Sequence, residues 1–145
     1  MDSTHIVCMD MDRFELFWLE EEVKYLQNTF KIGEAYIFES SPEKYHVIIP
    51  DKLTYLEVVT ILKNSSVDPN YVSVPSHFGK PIFNIRITDK KGNPPIRFLK
   101  KLPSIHTTRI KSMGHILLLN KLYNLEIPTI NTDEETRVTL VRYPI

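Results

Sequence analysis

The chain of 145 residues has a single cysteine, Cys8, so it can form no internal disulfide and holds no Cys-rich zinc pattern. That agrees with a reducing compartment. No apolar run approaches the length of a membrane span, and acids appear early where a leader would carry a basic stretch and an apolar segment. The expectation is a cytoplasmic, intracellular protein with no membrane partner. Net charge is zero, and neither an internal repeat, a low-complexity segment nor an interdomain linker is visible. What is present is an ordinary globular composition, 42% hydrophobic and 25% charged, which argues against wholesale disorder and for one domain over 1–145 with a sizeable core.

The charges are unevenly placed. Residues 1–57 hold twelve acids against five basic residues, whereas 80–111 holds Lys80, Arg86, Lys90, Lys91, Arg97, Lys100, Lys101, Arg109 and Lys111 against Asp89 alone. Such a segment could attract phosphates, or be a basic surface with no ligand.

The stretch that organises the chain is His5-Ile6-Val7-Cys8-Met9-Asp10-Met11-Asp12, an apolar run ending in two acids one residue apart. In a strand, side chains repeat every two residues, so Asp10 and Asp12 share one face while Val7, Met9 and Met11 share the other. Two neighbouring carboxylates repel unless a cation or a proton lies between them, and two hard oxygen ligands suit Mg2+ or Mn2+. A strand end with two solvated Asp is the plainer alternative.

From Phe14 to Phe30, Leu16, Leu19, Val23, Leu26 and Phe30 recur at steps of three and four, which predicts a helix packed on the sheet. Gly33 is the expected left-handed stop. A hairpin comes next, 35–39 and 45–49 joined by the turn-like Ser40-Ser41-Pro42-Glu43-Lys44. Asp51 and Thr54 offer caps for a second helix, Thr54 and Glu57 forming a capping box, with Tyr55, Val58, Val59 and Leu62 inward. After a turn at Val67-Asp68-Pro69-Asn70, Phe83 to Thr88 alternates as a half-buried strand, with Asn84 and Arg86 turned from the core. The predicted order is an α+β, ferredoxin-like βαββαβ core over about 5–90 with a C-terminal extension over 91–145. Its usual sheet order, 4-1-3-2, places the first strand centrally, with Asp10 and Asp12 between His46 and Arg86 on a polar face opposite the helices. In the extension, 111–124 suits a helix and 137–143 a last strand.

Ile6-Val7-Cys8-Met9-Asp10-Met11-Asp12, then Ser41-Pro42-Glu43-Lys44-Tyr45-His46-Val47, then Val67-Asp68-Pro69 resemble, in order and rough spacing, the three motifs of the archaeo-eukaryotic primase (primase-polymerase) superfamily. Those motifs are an apolar strand ending hhhDhD, an S-G-x-G-x-H-like segment and a later hD. Pro42 and Lys44 stand where that family carries glycines. The Arg86 strand and the loop Lys90-Lys91-Gly92 resemble the strand and loop after the third motif in many plasmid- and virus-encoded members. The resemblance covers about residues 5–95 and implies a minimal RRM-like catalytic core.

It further implies metal-dependent nucleotidyl transfer in DNA replication. A 3′-hydroxyl attacks the α-phosphate of a nucleoside triphosphate on a single-stranded DNA template, with Mg2+ or Mn2+ neutralising the attacking and leaving oxygens. Asp10, Asp12 and Asp68 would hold the metal, with Glu39 or Asp89 as substitutes for Asp68. His46, Arg86, Lys90 and, more weakly, Ser41 would contact the triphosphate. Primer synthesis against extension, the sugar of the nucleotide, and a helicase or second primase subunit as partner stay open.

Three rivals remain. A non-catalytic nucleic-acid-binding module would use the open sheet face, yet acids and a histidine stand where an RRM stacks bases. A rolling-circle replication initiator nuclease needs two alternating histidines, and the strand offers His46 followed by Ile48. A partner-binding protein with a degenerate primase-like core is the third. Phe17 and Trp18 are expected to cover core or an interface, and His106 and His115 lack metal-ligand spacing.

Overall fold

A computed structural model describes residues 5–12, 14–67 and 96–133. These form an α+β unit of four strands and three helices: β1 (His5–Asp12), α1 (Leu16–Phe30), β2 (Ala35–Ser41), β3 (Lys44–Leu53), α2 (Tyr55–Lys63), β4 (Arg97–Leu102) and α3 (Met113–Tyr123). The sheet is antiparallel in the order β1-β3-β2-β4. The adjacency β1-β3-β2 is compatible with a ferredoxin-like plan. The expected strand at 83–88, and the one at 137–143, lie outside the described residues. The strand next to β2 is β4, which the sequence did not announce because Arg97, Lys100 and Lys101 interrupt its apolar pattern. Among the described residues β1 therefore ends the strand order, and the central place expected for it rests on a segment outside them.

One sheet face carries the main core. Val7, Met9 and Met11 of β1, Ile37 of β2, and Val47 and Ile49 of β3 meet Leu19, Val23 and Leu26 of α1 and Val58, Ile61 and Leu62 of α2. The period-two pattern of the strands and the three-four pattern of α1 both aim here. In α2 the inward set is Val58, Ile61 and Leu62, while Tyr55 and Val59 are half-buried. Thr54 caps α2 with the full reciprocal box to Glu57.

The helix stop differs from expectation. Lys31 takes the left-handed conformation (φ 54°) and its N–H returns to Gln27 O. Gly33 serves another purpose. A Cβ there would lie 2.6 Å from Lys111 Nζ and 2.8 Å from Asp51 Oδ1. Asp51 is no cap either. It is fully buried in β3, accepts the Gly33 N–H at 2.7 Å and pairs with Lys111 Nζ at 2.8 Å, tying the segment before α3 to the sheet. Gln27, also buried, donates to the carbonyls of Gly33 and Leu102.

The second face is not open. Ile6, Tyr36, Phe38 and Ile48 bury against Ile116 and Leu119 of α3 and against Ile96 and Ile127. An apolar helix covers apolar strand residues, so the unit has three layers. No helix among the described residues is long and apolar enough to cross a membrane.

Candidate functional site

The second face divides along its length. Toward one end of β1, Ile6 and Cys8 join the apolar cluster beneath α3, and toward the other stand Asp10 and Asp12. Their position follows from strand alternation, since Met9 and Met11 are drawn into the main core and turn both carboxylates the opposite way. Asp10 is half-exposed and Asp12 exposed.

Strand pairing brings His46 to them. It lies directly opposite Asp10 in the β1–β3 ladder and opposite Phe38 in the β2–β3 ladder. His46 is 5% exposed, with Nε2 3.5 Å from Asp10 Oδ1. Phe38 is held in turn by Tyr123 at 4.6 Å and Phe98 at 5.5 Å between ring centroids, so the imidazole has a fixed aromatic neighbour. The segment Ser41 to His46 spans the hairpin. Ser41 pairs with Lys44, and Lys44 pairs in turn with Asp12.

The turn between them is Pro42-Glu43, with Glu43 at φ 62°. A proline followed by a positive φ is the type II arrangement, which favours glycine at its third position. The Phe14 N–H donates to Glu43 O at 3.3 Å, fastening the chain just after the acidic pair to this turn. Asp10, Asp12, Ser41 and His46 thus gather at one end of the sheet. Lys44 joins them, a neighbour that only the two-residue turn length would have revealed.

Asp68, Arg86, Lys90 and Asp89 lie outside the described residues. Glu39, the other substitute third carboxylate, shares its face with Tyr45 of the main core and binds Arg97 at 2.9 Å, so it does not join Asp10 and Asp12. Among the described residues no three His, Cys, Asp or Glu side chains are close enough to hold a metal ion together. Asp10 and Asp12 fit a hard divalent cation as two of its oxygen ligands. Cys8, on the same face, packs instead against the apolar cluster beneath α3, where burial pushes its thiol up to about 12.

The basic segment reads differently in three dimensions. Arg97 binds Glu39, Lys100 binds Glu20 at 2.7 Å, Lys101 lies 3.8 Å from Glu34, Arg109 binds Glu57 at 3.1 Å and Lys111 binds Asp51. Each of these five basic residues of 97–111 meets an acid from residues 1–57. For these five residues the charge asymmetry along the chain is complementarity within the fold, and the phosphate-attracting field expected from them is largely cancelled.

Of the two places expected for Phe17 and Trp18, core or an interface, the core is excluded, since they are 60% and 61% exposed on α1. A cavity of about 220 Å3 lined by Phe30, Leu56, Glu57, Thr60, Ile61 and Arg109 lies beside α1 and α2, away from the acidic pair. His115 engages Ser112 at the start of α3. No known protein family, no curated protein and no solved structure matches this chain.

Proposed function

We propose that the chain is a ferredoxin-like domain that performs metal-dependent nucleotidyl transfer of the primase or polymerase kind, with Asp10, Asp12 and His46 at its centre. The observation that carries this reading is the cross-strand placement of His46 on Asp10, with Asp12 two residues on and the Ser41–Lys44 turn at the same end. Asp10 and Asp12 would hold Mg2+ or Mn2+, which supplies charge neutralisation at the attacking and leaving oxygens. His46 would donate a hydrogen bond to a triphosphate oxygen, and Lys44 adds a cation beside it. The partners in this reading are nucleoside triphosphates and a single-stranded DNA template.

The test is calorimetric titration of Mn2+ with and without a nucleoside triphosphate, on the wild type and on Asp10→Ala/Asp12→Ala. Joint binding of metal and triphosphate in the wild type, lost in the variant, supports the proposal, and template-directed extension assays come next. Absence of both in the wild type defeats it.

A second reading, a partner-binding protein on a degenerate primase-like core, is favoured by one observation. Helix α3 covers the apolar half of the face on which a template would have to lie. In that case metal and triphosphate fail to bind, and the acidic end is a solvated strand terminus.

A further inference from the structure

The exposed side of α1 is unusual for a helix otherwise amphipathic. Leu19, Val23 and Leu26 bury toward the sheet, while Phe17, Trp18 and Tyr25 are 60%, 61% and 55% exposed. Phe17 and Trp18 already meet edge to face at 5.0 Å. Residues 18, 21 and 25 recur at helical spacing, so the aromatic rings form one stripe with Glu21 in its middle and Lys24 at its margin. Glu21 and Lys24 lie 3.6 Å apart, both about half exposed. The stripe thus carries one charge of each sign. Its acidic neighbour Glu20 is already bound to Lys100, and Glu22 accepts from the Ser66 N–H.

We infer that this stripe is a homodimer interface, in which α1 packs antiparallel against α1 of a second copy. A two-fold axis passing near the level of Glu22 brings each Glu21 to the partner's Lys24 and lays Trp18 beside the partner's Tyr25. An isologous contact requires a surface complementary to itself, and a stripe bearing one acid and one base across the axis meets that condition. A strongly basic or acidic partner finds no matching net charge here.

The area agrees. At 55–61% exposure the three aromatic side chains leave on the order of 350 Å2 uncovered per copy. Two copies, with Glu21, Lys24 and Asn28 at the rim, bury roughly 1,000–1,200 Å2, the lower end of specific interfaces. An interface of this size belongs to the weak, concentration-dependent class. The inference is independent of the nucleotidyl-transfer reading, because the stripe faces away from the sheet that carries Asp10 and Asp12.

Trp18 is the chain's single tryptophan and so reports on this contact directly. The experiment is sedimentation velocity of the full chain from about 1 μM to about 500 μM, with Trp emission recorded over the same range. The expected result is a doubling of mass and a shift of emission to shorter wavelength with a common midpoint. Lys24→Glu should weaken association roughly tenfold by setting like charges across the axis, and Glu21→Lys/Lys24→Glu should restore it. A monomer throughout the range overturns the inference and leaves the stripe to an unlike partner. So does a dimer whose formation leaves Trp emission unmoved, or a double variant no tighter than the single one.

Discussion

His46 stands directly across the β1–β3 ladder from Asp10, with Nε2 3.5 Å from Oδ1. That distance is at the long limit for a hydrogen bond, whose usual length is about 2.9 Å. In the proposed site the two residues have separate duties. His46→Asn should leave Mn2+ affinity within about twofold and weaken triphosphate binding about tenfold, or roughly 1.4 kcal/mol. Asp10→Ala should weaken both. Calorimetry of the two variants, each checked by far-UV circular dichroism, separates these outcomes, and parallel losses in both would remove the assigned division.

Asp51 and Lys111, sixty residues apart, form the most enclosed ion pair of the described residues. Removing one partner leaves a buried charge uncompensated. Lys111→Met should cost about 3–5 kcal/mol in urea unfolding, and Asp51→Asn/Lys111→Met should recover part of it. Gly33→Ala should cost about 1–3 kcal/mol, since its methyl group would meet Lys111 Nζ and Asp51 Oδ1 well inside contact distance.

Burial holds the His115 imidazole below its ordinary value, and the Asp133 carboxylate opposes that shift without reversing it. Lys52, which pairs with the same carboxylate, and the Ser112 hydroxyl are further polar groups around it. The neutral form is therefore favoured by folding. Its contribution to stability is whole above the unfolded value, about 6.5, and is lost as pH falls from there through the folded value. His115→Gln should flatten the fall of the urea midpoint between about pH 7 and pH 5. An unchanged slope would place the acid sensitivity elsewhere.

Glu43 occupies a turn position at φ 62°, where a side chain is strained. Glu43→Gly should raise stability by up to about 1 kcal/mol, with the entropy of glycine in the unfolded chain limiting the gain. Chemical denaturation of the single variant decides it. The same substitution removes a carboxylate from the acidic end, so in the proposed site triphosphate affinity should not fall.

Local pattern announced the elements whose apolar residues follow one period. The alternation of Val7, Met9 and Met11 and the spacing of Leu19, Val23 and Leu26 each pointed to the core they reach. The capping box at Thr54 and Glu57 marked the start of α2 correctly. β4 escaped notice because its lysines and arginine sit at a sheet margin and are neutralised by acids far away in sequence, a compensation that no short window displays.

The sequence by itself determined that Asp10 and Asp12 share a face and that an α+β unit forms, because both follow from side-chain periods of two and about 3.6. The expected strand order also set His46 beside the acidic pair, but only the tertiary structure decided that it stands directly opposite Asp10, since cross-strand register depends on a two-residue turn and on the core each strand buries. It also decided that α3 covers the apolar part of the second face and that the basic residues of 97–111 are paired with acids of 1–57. Both are long-range matches of surface and charge, and neither is written in any one stretch of the chain.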